Sequence, residues 1–235
     1  MESLIDANTR RWKNCQINQD RLPEIDKVVA RLTSPSAKAR YKTVEKATGV
    51  PWWFVAVVHE REASQNWNSN LGQGDPWSRV STHVPVGRGP FNSWEEAAID
   101  ALVACPPYSA RNKDWSVGSA LAHLERYNGL GYYNRGEPSP YVWAGTNQYV
   151  SGKFIADHVY SPTAVDHQLG CAALLKRMAV LETVVPSIGT KTVIIAGGAV
   201  AASQAPHLWP YILAGVGIAL ALEGMAWFIY RNWRN

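Results

Sequence analysis

The chain has 235 residues, 46% hydrophobic and 18% charged, which excludes a mainly disordered protein and leaves enough chain for a real core without staples. The formal net charge is +4, but three of the 23 basic residues and one of the 19 acidic residues lie from Lys191 onward. The first 190 residues are therefore close to neutral, and no Lys/Arg cluster interleaves with aromatics, so a nucleic-acid surface is not expected.

The N-terminal MESLIDANTRRWKNCQ lacks an apolar stretch, so no secretory signal peptide is expected and synthesis is placed in the cytoplasm. Leu22 to Lys46 reads as helix with a break near Thr33-Ser34-Pro35 and Ser36 as the N-cap of its second half. Gly49 reads as the residue that ends it, and Pro51 as the first residue of the next helix. That helix, PWWFVAVVHERE, is apolar on every side up to His59, the pattern of a helix buried mid-domain. SQNWNSNLGQGDPWSRVSTHVPVGRGP is too polar for core and too rich in Gly, Asn and Pro for helix. It reads as a loop with a short β-hairpin.

Ser93 and Glu96 form a capping-box pattern before WEEAAIDALVAC, which Pro106-Pro107 ends. Ser116 opens a helix that Gly129 closes, and an aromatic, Gly-rich irregular stretch follows. Ser161 to Val184 reads as an amphipathic helix with Val165, Leu169, Ala172, Leu175, Met178 and Leu181 on one face. The three cysteines share no metal-ligand spacing and read as free thiols. No histidine pattern suggests a zinc site, and no cofactor is expected.

Thr192 to Tyr230 holds one charged residue, Glu223, in 39. Residues 207–230 are long enough for a bilayer span, with Trp209 and Tyr211 at one end and Trp227, Tyr230 and Trp233 at the other. Residues 192–205 form a shorter apolar segment, and a transmembrane hairpin is favoured over a single span. The expected organisation is a folded domain over 1–188 (core 22–185) and a membrane tail over 189–235.

The chemistry is suggested by the end of the apolar helix. Glu60 and Glu62 stand about 200° apart on a helix, so only one can face a site, while His59 and Glu62 share a face. A carboxylate at the end of a buried helix loses hydration and rises in pKa, as a general acid near neutral pH requires. The alternative is that both are ordinary surface charges at a helix C-terminus.

His59 to Glu62, Asn66-Trp67-Asn68, the run Asn70 to Pro76, Thr82 to Phe91 and Trp94 to Ala97 form a first block of motifs. Leu124 to Gly129, Gly131-Tyr132, Ser139 to Tyr149 and Gly152 to Phe154 form a second. Over Val50 to Asp157, nearly half the chain, this order resembles the bacteriophage and prophage lysozyme-like endolysin family, related to the goose-type lysozyme and lytic transglycosylase superfamily.

The resemblance implies a mainly α, α+β lysozyme-like fold around the buried central helix. It also implies a muramidase that cuts the β-1,4 bond between N-acetylmuramic acid and N-acetylglucosamine. Glu62 would be the acid, ahead of Glu60. Asp75 would serve as base or transition-state stabiliser, or Thr82 or His83 would position the water. Tyr127, Asn128, Tyr141, Trp143 and Asn147 would line the glycan groove. The implied partners are peptidoglycan strands, the inner membrane through the tail, and a holin; the implied setting is the inner membrane of a bacterial host, acting on periplasmic peptidoglycan. Two alternatives stay open: a lytic transglycosylase giving 1,6-anhydro products, and a non-catalytic wall-binding or holin-like membrane protein.

Overall fold

The structure is a computed structural model that describes residues 2–184 except 73 and 84. It is mainly helical with one small antiparallel sheet. The apolar segments 192–205 and 207–230 lie outside the described residues; no described helix is long and apolar enough to cross a membrane.

Helix α1 (Leu4–Asn14) starts where the Ser3 hydroxyl accepts the Asp6 N–H, at 3.1 Å. The sequence reading missed it, because its face of Leu4, Ala7 and Asn8 is short and half polar. It packs against α6 (Val117–Asn128). A Cβ at Gly118 would overlap the Thr9 side chain, so glycine permits this close crossing.

The break expected near Thr33-Ser34-Pro35 separates two helices, α2 (Leu22–Leu32) and α3 (Pro35–Thr48). The N-cap of α3 is Ser34, two residues before the expected Ser36. Pro35 takes the first helical position, where a missing N–H costs nothing. Gly49 ends α3 in the left-handed conformation, at φ 75°.

Helix α4 (Trp52–Ala63) begins one residue later than expected, with Pro51 as its N-cap rather than its first residue. Phe54 to His59 are all buried, and α2, α3 and α9 (Cys171–Val184) pack around the helix. Burial on every side gives each apolar residue a partner, which is why this helix needs no polar face.

The β-hairpin expected in the loop 64–90 is not found among its described residues, which hold an isolated bridge, Ser69 to Pro76. Its Asn and Asp side chains bond the backbone instead. Asn66 accepts the N–H of Asn68, Asn70 that of Gly72, and Asp75 those of Thr82 and His83. Such local side-chain bonds replace ladder bonds.

Helix α5 (Trp94–Ala104) is capped by Ser93 Oγ as expected, but the Glu96 carboxylate reaches back to the N–H of Asn92 rather than of Ser93. Short helices α7 (Gly131–Arg135) and α8 (Pro140–Trp143) follow α6. The hairpin pairs β1 (Lys153–Ala156) with β2 (Val159–Ser161), and Phe154 and Tyr160 pack edge to face with Tyr132.

The last helix begins at Cys171, ten residues later than the expected Ser161. Ser161 ends β2, and residues 162–170 are irregular: Asp166 bonds the Gln168 N–H, and a Cβ at Gly170 would lie 2.6 Å from the Ala144 nitrogen. Val165 is consequently exposed, while Leu169, Ala172 and Met178 stay buried.

Candidate functional site

The last turn of α4 sends its polar side chains in three directions. His59 is fully buried. Its Nε2–H donates to the Asn66 carbonyl and its Nδ1 accepts from the Tyr41 hydroxyl, both at 3.1 Å. Trp67 and Trp94 close around the ring, with centroids 4.7 and 4.6 Å away. Burial pushes the imidazole down to about 4, so it is neutral and structural.

Glu60 points to α2, where one Arg31 guanidinium nitrogen reaches both carboxylate oxygens at 2.8 and 3.0 Å. Burial raises its pKa, and the Arg31 charge opposes the rise.

Among the described residues, no cation is bonded to Glu62. Burial pushes its carboxyl up to about 6, against the opposing effects of the Tyr141 hydrogen bond and the nearby Arg61 charge. The Tyr141 hydroxyl donates to Oε1 at 2.8 Å. The Arg61 guanidinium lies 4.8 Å from the Tyr141 ring centroid and holds that ring from its face. Tyr127 is near enough for its own pKa to rise from burial and from the Glu62 charge. Its hydroxyl donates to the Leu71 carbonyl, which ties the loop 64–92 to α6 beside Glu62. Backbone strain sits directly after this turn: Ser64 and Gln65 are both left-handed, at φ 50° and 58°. Each costs roughly 1 kcal/mol or more. The Gln65 side chain holds the turn by donating to the Tyr41 oxygen and the Arg31 carbonyl.

A cleft of about 420 Å³ opens on the other side of Tyr141. Asn128 and Tyr132 line one wall, and Lys153, Phe154 and His158 of the hairpin line another. Glu62 is not among the lining residues; it meets the cleft through Tyr141. Arg61 and Asp166 form a buried ion pair at 2.9 Å in the cleft wall, and Lys153 reaches Asp166 at 3.3 Å. Burial pushes the Asp166 carboxyl up, but the Arg61 hydrogen bond and charge outweigh it and keep the carboxyl below its ordinary value. The sequence assigned no site role to Arg61, Asp166, Lys153 or Tyr132. The ion pair spans 105 positions, so no local pattern betrays it.

Of the residues expected to act with Glu62, Asp75, Thr82 and His83 come together in the loop. The Asp75 carboxylate accepts the Thr82 N–H at 2.8 Å, the His83 N–H at 3.1 Å and the His83 Nδ1–H at 2.6 Å. The His83 side-chain and backbone bonds and the Thr82 bond hold its pKa below the ordinary carboxylate range. A Cβ on the neighbouring Gly74 would lie 3.7 Å from the Glu62 carbonyl, so the loop backs onto the end of α4.

Among the expected groove residues, Tyr127, Asn128 and Tyr141 surround Glu62 and the cleft. Trp143 and Asn147 do not. Trp143 is fully buried and its Nε1–H donates to Asn8 Oδ1, so its ring packs the core and cannot stack on a sugar. Asn147 bonds the Gln16 N–H and the Asn14 carbonyl, and thereby fastens the segment after α1. The three cysteines are free and buried. Among the described residues, no group of three or more His, Cys, Asp or Glu is placed to hold a metal ion.

Compared with family models, curated proteins and solved structures, the chain matches none of them.

Proposed function

We propose that this protein is a membrane-associated endolysin, a muramidase of lysozyme-like fold that cuts the glycan strands of bacterial peptidoglycan. Glu62 is the general acid that protonates the glycosidic oxygen. The observation that carries this reading is the state of its carboxyl: at the end of a buried helix, without a bonded cation, held by Tyr141 and raised to about 6. Such a carboxyl keeps a proton available near neutral pH, which protonation of a leaving oxygen requires. Asn128 in the cleft wall supplies an amide for N-acetyl groups, and the buried Tyr141 links Glu62 to the cleft. The apolar tail, read from the sequence, holds the enzyme at the inner membrane, with a holin as candidate partner.

A second reading, lytic transglycosylation, is favoured by the state of Asp75. Its two oxygens already accept three N–H groups, and its lowered pKa makes it a weak base. Without a water-activating carboxylate, the substrate's own groups complete the reaction and leave a 1,6-anhydro end.

Digestion of purified peptidoglycan followed by mass analysis of the muropeptides tests both. Reducing ends indicate hydrolysis, anhydro ends indicate transglycosylation, and no cleavage by the wild-type chain overturns both readings.

A further inference from the structure

A second concavity, of about 210 Å³, shares no lining residue with the cleft. Four indoles from three parts of the chain converge on it: Trp12 of α1, Trp52 and Trp53 of α4, and Trp115 before α6. Leu175 and Met178 of α9 complete it. Among the described residues, no charged side chain lines it. A cation stands over one of its indoles: Lys176 Nζ lies 4.8 Å from the Trp12 ring centroid. Nothing in the proposed chemistry uses this surface.

Indoles clustered with a lysine match the boundary between lipid headgroups and acyl chains, where Trp is enriched and anionic lipids attract cations. Chain order supports the same occupant. Met178 lies six residues before the end of α9, about 9 Å along the helix axis. Only residues 185–191 separate α9 from the apolar stretch that starts at Thr192. Even fully extended, that connection spans at most roughly 30 Å.

We infer that the tryptophan groove is an interfacial membrane-docking face, which rests on the surface of an anionic phospholipid bilayer once the apolar tail has inserted.

Site-specific fluorescence on the full-length chain tests this. Because the native cysteines are buried, an environment-sensitive dye can be placed on Val117→Cys at the groove, on Ile155→Cys in the hairpin, and on Gly215→Cys in the tail. Each protein is reconstituted in vesicles of phosphatidylethanolamine and phosphatidylglycerol that carry spin-labelled quencher lipids. Expected are strong quenching at 215 and several-fold more quenching at 117 than at 155. Pairing Trp12→Ser with Trp53→Ser should reduce the signal at 117 and leave that at 215 unchanged.

Quenching at 215 without quenching at 117 overturns the docking face, as does equal quenching at 117 and 155. A blue-shifted but unquenched dye at 117 also overturns it, because the groove is then covered by the tail or a second copy. Absence of quenching at 215 overturns both the inserted tail and the docking it supports.

Discussion

The two sides of the last turn of α4 carry similar chemistry and are built to opposite ends. On one side, His59 is enclosed by Tyr41, Trp67 and Trp94, and both ring nitrogens are satisfied. On the other, three residues later, Glu62 has one hydrogen bond from Tyr141, and a cleft opens beyond that tyrosine. Burial displaces both groups toward their neutral forms, His59 down to about 4 and Glu62 up to about 6. The difference lies in what surrounds them. A neutral group with every partner satisfied holds a turn in place. A neutral acid beside a cleft has a proton to give.

The sharpest way to break this contrast is to remove the proton. Glu62→Gln keeps the shape and should lower peptidoglycan cleavage by about 10² to 10⁴-fold, the usual contribution of a positioned acid. Glu60→Gln, which loses only its partly exposed pair with Arg31, should cost under about 1 kcal/mol of stability and leave cleavage within a few-fold. Equal losses in the two variants, measured as the rate of release of soluble muropeptides, would remove the distinction between them.

The next effect belongs to the closed side. Unfolded His59 takes up a proton below about pH 6.5, while folded His59 stays neutral down to about 4. Stability present above pH 6.5 is therefore lost as pH falls through that window, by about 3 kcal/mol for this one group. His59→Asn should be less stable than the wild type at pH 7, and its urea midpoint should depend less on pH between 6.5 and 4. An unchanged pH slope in the variant would show that His59 is not held neutral.

Glu62 acts with the opposite sign. Its folded pKa lies above the ordinary 4.5, so its contribution to stability is complete below pH 4.5 and disappears as pH rises to about 6. Glu62→Gln escapes that loss. It should be more stable than the wild type by up to about 2 kcal/mol at pH 7 and no more stable at pH 4. A variant that is inactive yet stabilised only at neutral pH would mark Glu62 as a residue kept for chemistry at a cost in stability.

How much of this was legible in the sequence follows the same division. The apolar run Phe54 to Val58 reads directly as a buried helix, because burial on all sides leaves a local signature, and it ends with the carboxylates in plain view. The choice between Glu60 and Glu62 was not local. It depends on Arg31, 29 positions before Glu60, and on Tyr141, 79 positions after Glu62. Trp143 shows the limit from the other side. Two residues after Tyr141 in an aromatic stretch, it looks like a groove residue, but α8 turns it inward to Asn8 of α1, a helix the sequence pattern did not reveal. The irregular segment before α9 was equally hidden, since Val165 and Leu169 fit the helical period while Asp166 and Gly170 engage other parts of the chain.

The smallest effect is the most specific to the Glu62 side. The Tyr141 hydroxyl donates to Oε1, and a donated hydrogen bond favours the ionised carboxylate. Tyr141→Phe removes that donor while keeping the ring under Arg61, so the Glu62 pKa should climb above about 6. A general acid works only while protonated, so the alkaline limb of kcat/KM should move to higher pH. A hydrogen bond to a charged group is worth about 1.5 kcal/mol at the lower end, so the shift should be about one pH unit. A limb that moves to lower pH would mean that the tyrosine had been favouring the protonated acid, and the assignment of Tyr141 as its donor would fall. A limb that stays fixed while the rate drops would mean that the hydroxyl acts on the substrate and not on Glu62.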